Sequence, residues 1–122
     1  MVVLVVLLTS CLDPFAPPIG TRPFDPPTRY RDYWQAVEDC SGIRSNFERV
    51  RWYAVPETPF PCPNGSGYCF AIWREPHDIF LERTAPYITV GHEMLHDLLQ
   101  RGDHPDVFRT CGLLRDTARV GG

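Results

Sequence analysis

The spacing of apolar residues predicts one helix followed by several short strands. In residues 30–39 aromatic and aliphatic side chains recur at helical intervals, and Gly42 supplies a helix end. Residues 50–55 form a run rich in aromatic and β-branched residues, which is typical of a strand. Two similar runs follow at 68–74 and 78–82, and we expect them to pair as a hairpin across a short turn.

A second helix is predicted after the strands. Thr84 is a suitable N-terminal cap, Pro86 suits the first turn, and Gly102 marks the end of the helix. The apolar face of this helix consists of Ile88, Leu95, Leu98 and Leu99. The pattern therefore predicts an α+β fold, in which a small antiparallel sheet packs on the N-terminal helix and on this second helix.

The N-terminus has the features of an export signal. Its apolar run at 1–8 is far shorter than the roughly 20 residues that span a membrane, but it has the length of a signal's hydrophobic region. Leu8-Thr9-Ser10-Cys11 resembles the lipobox of bacterial lipoproteins. This resemblance implies that residues 1–10 are a signal peptide and that Cys11 carries a lipid anchor. It also implies a location in the cell envelope, and Leu12 favours the outer membrane where the cell has one.

A proline-rich stretch follows Cys11. Its prolines are Pro14, Pro17, Pro18, Pro23, Pro26 and Pro27. Proline lacks an amide hydrogen and fixes φ, so it disfavours both helix and sheet and promotes extended structure. Residues 11–29 are therefore predicted to be a tether between the lipid and a folded domain at 30–122.

Chain length and charge exclude several classes of protein. A chain of 122 residues forms a single domain, and we expect a monomer. Its 12 Lys and Arg residues against 15 Asp and Glu give a net charge of −3. We therefore expect no nucleic-acid partner, because such proteins carry a basic surface.

Four cysteines remain when Cys11 is assigned to the lipid anchor. An even number in a small exported domain predicts two disulfides. We favour Cys62 with Cys69, because a turn-forming Asn-Gly pair lies between them, and hence Cys40 with Cys111. All three pairings remain open from sequence. A four-cysteine zinc site is the alternative, although the C-x-x-C spacing usual in such sites is missing.

The second helix contains the motif His92-Glu93-Met94-Leu95-His96, an HExxH pattern. Positions four apart share a helix face, so His92 and His96 can present ring nitrogens to one metal ion. Glu93 lies one position further round the helix, beside that ion. Two imidazoles and a carboxylate predict a zinc site.

With this motif the chain resembles the zincin metallopeptidases, over the motif, its helix and the preceding sheet. The resemblance implies a Zn²⁺ cofactor with His92 and His96 as ligands. It further implies that Glu93 is the general base that activates the attacking water, and that the substrate is a peptide or protein.

A catalytic zinc site needs a third protein ligand, and His104 is our prediction. Gly102 would let the chain reverse and bring His104 back to the metal. The metzincin branch reaches its third histidine in a similar way, although the spacing here is two residues longer. The gluzincin branch takes a carboxylate about twenty residues on, where Asp116 stands. The remaining alternatives are Asp103, Asp106 and His77.

Other polar residues are candidates for supporting roles. Asp97 and Asp106 can orient a ligand imidazole by accepting the hydrogen of its second ring nitrogen. Candidates for stabilising a tetrahedral intermediate are Tyr68, His77, Tyr87 and Arg109. The large aromatic residues predicted for the core are Trp52, Trp73 and Phe80.

These patterns favour a zinc-dependent hydrolase, specifically a metallopeptidase that uses Glu93. The alternative is a non-catalytic zinc-binding or structural lipoprotein of the envelope. A third hypothesis is hydrolysis of a non-peptide amide. An open metal position and a free sheet edge would favour the peptidase, because extended substrates pair with sheet edges.

The lipobox interpretation predicts that Cys11→Ser abolishes lipid attachment, because the thioether to the lipid cannot form. We expect the variant to leave the membrane fraction or to remain unprocessed, as judged by cell fractionation and intact mass. Normal processing and membrane retention of the variant would contradict the lipobox interpretation.

Overall fold

The computed structural model describes residues 16–63 and 65–114. Cys11, the signal-like residues before it and Asp116 lie outside the described residues. The elements, in chain order, are β1 (Arg22–Pro23), α1 (Arg29–Ser41), a 3-10 turn (Phe47–Arg49), β2 (Arg51–Ala54), β3 (Phe60–Pro61), β4 (Tyr68–Cys69), β5 (Ala71–Arg74), β6 (Asp78–Leu81), α2 (Tyr87–Leu99) and α3 (Val107–Thr110). Among these residues, no helix is both long enough and apolar enough to span a membrane.

The strands form a four-stranded sheet in the order β1-β2-β6-β5 and a separate hairpin of β3 and β4. β5 and β6 pair antiparallel, as the sequence predicted, with Ile72 opposite Phe80. β2 and β6, however, are parallel. The sheet is therefore mixed rather than wholly antiparallel, because the chain passes through β3, β4 and β5 before it enters β6. The α+β class is confirmed.

The strand expected at 68–74 is divided in two. β4 pairs with β3, with Phe60 opposite Cys69, whereas β5 pairs with β6. The Cys62–Cys69 disulfide closes the β3–β4 hairpin. This cross-link keeps the first part of the predicted strand in the hairpin and so separates it from the main sheet.

The folded region begins before residue 30, where the tether was predicted to end. β1 pairs with β2, and the amide of Phe24 donates to the carbonyl of Trp52 at 3.0 Å. The Phe24 ring packs edge-on against Tyr30. Pro23 is compatible with β1 because an edge strand does not need every amide hydrogen for pairing.

The two long helices pack on each other and on one face of the sheet. α1 buries Tyr30, Trp34 and Val37, which share one helix face, and ends at Gly42 with φ 74°. α2 begins after Pro86, which occupies the cap position predicted for Thr84. An extended residue before the first turn satisfies the cap geometry, and proline adopts that conformation readily.

A second cluster fills the other face of the sheet beneath the β3–β4 hairpin. Its members are Val55, Phe60, Cys62, Cys69 and Phe80. Trp52 and Phe80 are buried, as predicted. Trp73 is only partly buried, and its indole Nε1 donates to Asp97 at 3.0 Å. An indole N–H needs a polar partner, which explains its place at the edge of the core.

Both favoured disulfides are present. Cys40 at the end of α1 is joined to Cys111 after α3, with 5.8 Å between the Cα atoms. Cys62 is joined to Cys69, with 5.1 Å between the Cα atoms. The alternative of a four-cysteine zinc site is therefore wrong, because all four thiols are in disulfides.

Replacing Cys40 and Cys111 together by Ser should lower the free energy of unfolding by about 4 kcal/mol, because the crosslink closes a long loop in the unfolded chain. The Cys62→Ser/Cys69→Ser pair should cost less, about 2.5 kcal/mol. Denaturant titration of both variants in chelator, so that no metal contributes, measures the difference. A larger loss for the short loop would contradict the chain-entropy explanation.

Candidate metal centre

Three histidines converge at the end of α2 that faces α3. Nε2 of His92 lies 3.2 Å from Nε2 of His96 and 3.1 Å from Nε2 of His104. One nitrogen from each of the three rings lies within 4.8 Å of the other two. The group predicted from the motif, including His104 as its third member, is thus brought together, and it can hold a metal ion.

The end of α2 brings His104 to this position. The helix ends at Leu99, and Gln100 adopts a left-handed conformation with φ 55°. The reversal was predicted at Gly102, whose φ is not positive. Gln100 tolerates the conformation because its side-chain amide donates to the carbonyls of Pro76 and Asp97, each at 2.7 Å.

Two backbone carbonyls fix the rings of His92 and His96. Nδ1 of His92 donates to the carbonyl of Leu113, and Nδ1 of His96 donates to the carbonyl of Arg101, both at 2.7 Å. A carbonyl can only accept, so Nδ1 carries the hydrogen in each ring. The Nε2 atoms of the neutral rings therefore carry lone pairs.

The Nε2 lone pairs of His92 and His96 face one another at 3.2 Å and repel unless a proton or a cation lies between them. Two nitrogens bound to zinc at 2.0–2.1 Å with a tetrahedral angle would lie about 3.3–3.4 Å apart. The Nε2 separations of His92 from His96 and from His104 are close to that value. The three imidazoles are therefore spaced closely enough to hold a single ion.

Glu93 is buried beside this cluster, with 2% of its surface exposed. The backbone amide of Trp73 in β5 donates to its carboxylate. Its Oε2 atom is buried and has no hydrogen-bond partner among the described residues. A buried oxygen without a protein partner is costly, and beside the histidines this atom is available to a bound water or substrate.

Burial shifts the acid–base equilibria of the site. Loss of hydration raises the pKa of Glu93 to about 8, and the hydrogen bond from Trp73 opposes that change only in part. Burial, followed by the nearby His92, lowers the pKa of His96 to about 4. His96 is therefore neutral at pH 7, which is the form that binds a metal.

A cavity of about 240 Å³ opens on the cluster. Its lining residues are Ser66, Cys69, Ile72, Trp73, Glu93, His96, Gly102 and His104. It lies between the end of α2, the loop that carries His104 and the β4–β5 segment. The cavity thus gives a small molecule or chain segment access to both the histidines and the carboxylate.

α3 supplies a contact that the sequence did not reveal. The buried ring of Phe108 lies 5.0, 4.7 and 5.0 Å from the ring centroids of His92, His96 and His104. Neither its spacing nor its residue type marks it as part of a metal site. The same holds for the carbonyls of Arg101 and Leu113, since every residue has one.

Among the described residues, the alternative third ligands His77, Asp103 and Asp106 are not part of the group that could hold an ion. Nδ1 of His77 lies 3.0 Å from the buried Oδ1 of Asp97. Asp103 forms an ion pair with Arg101, and Asp106 is exposed. Asp97 and Asp106 do not orient the rings of His92 and His96, because backbone carbonyls accept the Nδ1 hydrogens of those two rings.

The residues considered for stabilising an intermediate do not line the cavity. Tyr68 is 63% exposed, and Tyr87 packs edge-on against Tyr33. Arg109 is exposed, and its Nη1 atom lies 3.7 Å from Oδ1 of Asp106. His77 is held by Asp97. Ser66, which sequence reasoning did not single out, does line the cavity.

Comparison with protein-family models, with curated proteins and with solved structures found no match.

Replacing His92, His96 or His104 by Ala should weaken binding of a divalent metal roughly a hundredfold or more, because each removes one ligand. His77→Ala is the matched control and should keep one ion per chain. Calorimetric titration of the oxidised protein with Zn²⁺ measures both. Full affinity in His104→Ala would remove that residue from the ligand set.

Proposed function

We propose that the protein is a zinc-dependent hydrolase, and specifically a small metallopeptidase that uses Glu93 as its general base. The observation that carries the proposal is the convergence of three Nε2 atoms beside a cavity that is lined by His96, His104 and the buried Glu93. His92, His96 and His104 would hold the ion. When bound, zinc would lower the pKa of water and stabilise negative charge that develops on a carbonyl oxygen.

In this proposal Glu93 moves the proton. The amide of Trp73 holds the carboxylate, while Oε2 keeps a lone pair without a partner among the described residues. That oxygen would accept a proton from the attacking water and later deliver it to the leaving amine. Burial raises the pKa of Glu93 to about 8, so the group is mostly protonated at pH 7 when no ion is bound. The positive charge of a bound Zn²⁺ would lower that pKa and so supply the carboxylate that a general base requires.

The edge of β5 supports an extended peptide as substrate. Among the described strands β5 pairs only with β6, and the amide of Trp73 faces α2 rather than β6. Successive side chains of a strand point to opposite faces of the sheet. Ile72 and Trp73 nevertheless both line the cavity, so the cavity must extend round the edge of β5. Because Glu93 already accepts from the Trp73 amide, an extended chain would pair with the other backbone groups of this edge.

The same three histidines would also suit an envelope protein that binds zinc without turnover. The buried Oε2 of Glu93 favours the enzyme, because a purely structural site gains nothing from an unpartnered carboxylate oxygen. We further propose that the protein is exported and anchored through Cys11. Its two disulfides support export, since they persist in oxidising compartments.

Glu93→Gln should keep zinc bound while lowering turnover by about 10²- to 10⁴-fold, because the amide cannot accept the proton. Zinc content and cleavage of a peptide library, measured on the same preparations, separate the two effects. Glu57→Gln, an exposed position, is the control. A wild-type protein that holds zinc yet cleaves no peptide would favour the binding protein or a non-peptide amide substrate.

A further inference from the structure

Residues 107–113 form a compact unit against the metal centre, which we call the C-terminal clamp. The amide of Gly112 donates to the carbonyl of Arg109 at 3.0 Å, and that of Leu113 donates to Phe108 at 2.8 Å. Gly112 has φ 68°. These two bonds and the left-handed glycine define a Schellman helix end, which fixes the backbone direction beyond it. The next carbonyl, that of Leu113, accepts the hydrogen of His92 Nδ1.

The clamp is seated directly on α2. A Cβ atom at Gly91 would come within 2.9 Å of Leu113 Cδ2, so only glycine allows this approach without a shift. Phe108 and Leu113 are both fully buried, and the Phe108 ring contacts all three histidine rings. A displaced clamp would therefore move His92 and remove the packing behind the cluster.

The connection between α2 and the clamp is an exposed loop, whereas Cys111 ties the clamp covalently to Cys40 in α1. α1 is in turn packed against α2. The clamp is thus linked to α2 in two ways: by the chain itself, and through the disulfide to α1, which packs on α2. The disulfide therefore keeps the Leu113 carbonyl within hydrogen-bond distance of His92 Nδ1.

We propose that the C-terminal clamp positions the metal ligands, and that the Cys40–Cys111 disulfide makes metal affinity depend on the thiol redox state. This inference rests on the metal site of the proposed function. A dithiol reductant would transfer two electrons to the disulfide, leaving Cys40 and Cys111 as protonated thiols while its own sulfurs close into a disulfide. Release of the clamp would then weaken zinc binding, so that a tight site forms only under oxidising conditions.

Gly112→Ala tests the clamp without altering a ligand or a disulfide. A Cβ at this position meets no atom within 4 Å, so the change acts only through the left-handed backbone. Gly42→Ala is the matched control, since it also ends a helix, at φ 74°, with no atom within 4 Å. Strain at Gly42 is present with and without zinc and cancels in the affinity. Strain at Gly112 is relieved when the clamp leaves α2, so it lowers the affinity if zinc binding requires the clamp to stay in place.

Zn²⁺ affinity is measured by competition with a chromophoric chelator, and folding is checked by circular dichroism. Gly112→Ala should weaken binding roughly 5- to 30-fold, which corresponds to the cost of a left-handed L-residue. Gly42→Ala should bind as the wild type does. Cys40→Ser/Cys111→Ser should lose roughly 10- to 100-fold, the range for residues that orient ligands, and it leaves no thiol as a substitute ligand.

A second measurement uses the wild-type protein, so the result does not depend on a variant that folds. By linkage, bound zinc should lower the fraction of Cys40–Cys111 that is reduced at equilibrium. The redox buffer is glutathione with its disulfide, in which two glutathione thiols reduce one protein disulfide and form one glutathione disulfide. Alkylation and peptide mass analysis at equilibrium, with and without zinc, give the reduced fraction of Cys40–Cys111.

Wild-type zinc affinity in Gly112→Ala, or equal reduction of Cys40–Cys111 with and without zinc, overturns the inference. Either result would still be consistent with the proposed function, provided that the wild type binds zinc and that Glu93→Gln loses turnover. Absence of zinc binding in the oxidised wild type overturns both proposals. Clamp-dependent zinc binding without any turnover supports the inference alone.

Discussion

The metal centre depends on two backbone carbonyls that accept the Nδ1 hydrogens of His92 and His96. A histidine pair four residues apart on a helix shares a face, but each ring can still rotate and can carry its hydrogen on either nitrogen. The carbonyls of Arg101 and Leu113 remove both freedoms. They come from opposite sides of His104 in the chain, so the site is assembled only when the loop after α2 and the segment after α3 are both in place.

β5 compensates for the polar groups that α2 buries. Glu93, His96 and Asp97 are consecutive or near neighbours on a helix that packs into the core, and each would be costly there alone. Trp73 contacts all three: its amide donates to Glu93, its indole donates to Asp97, and its ring stacks on His96 at 6.1 Å. One strand residue therefore links Glu93, a histidine of the candidate metal centre and the buried Asp97.

The sequence predicts those parts that follow from local spacing. The HExxH motif places His92 and His96 on one helix face, and the cysteine count leads to the disulfides. The parallel pairing of β2 with β6 was missed, because short apolar runs carry no information about strand order. The left-handed turn was assigned to Gly102 rather than Gln100, because the side-chain hydrogen bonds that stabilise Gln100 reach Pro76 across the fold. Backbone acceptors and Phe108 could not be found at all, since their roles arise only from tertiary packing.

The two disulfides act on different sides of the same cavity. Cys62–Cys69 closes the hairpin that contributes Ser66 and Cys69 to the cavity wall, whereas Cys40–Cys111 secures the segment behind the histidines. A domain of this size buries too little apolar surface to hold both walls by packing alone. Buried polar groups on α2 reduce that stabilisation further. The crosslinks therefore lie where the core supports the chain least. Cys62–Cys69 closes a local hairpin, whereas Cys40–Cys111 joins two segments that are 71 residues apart in the sequence.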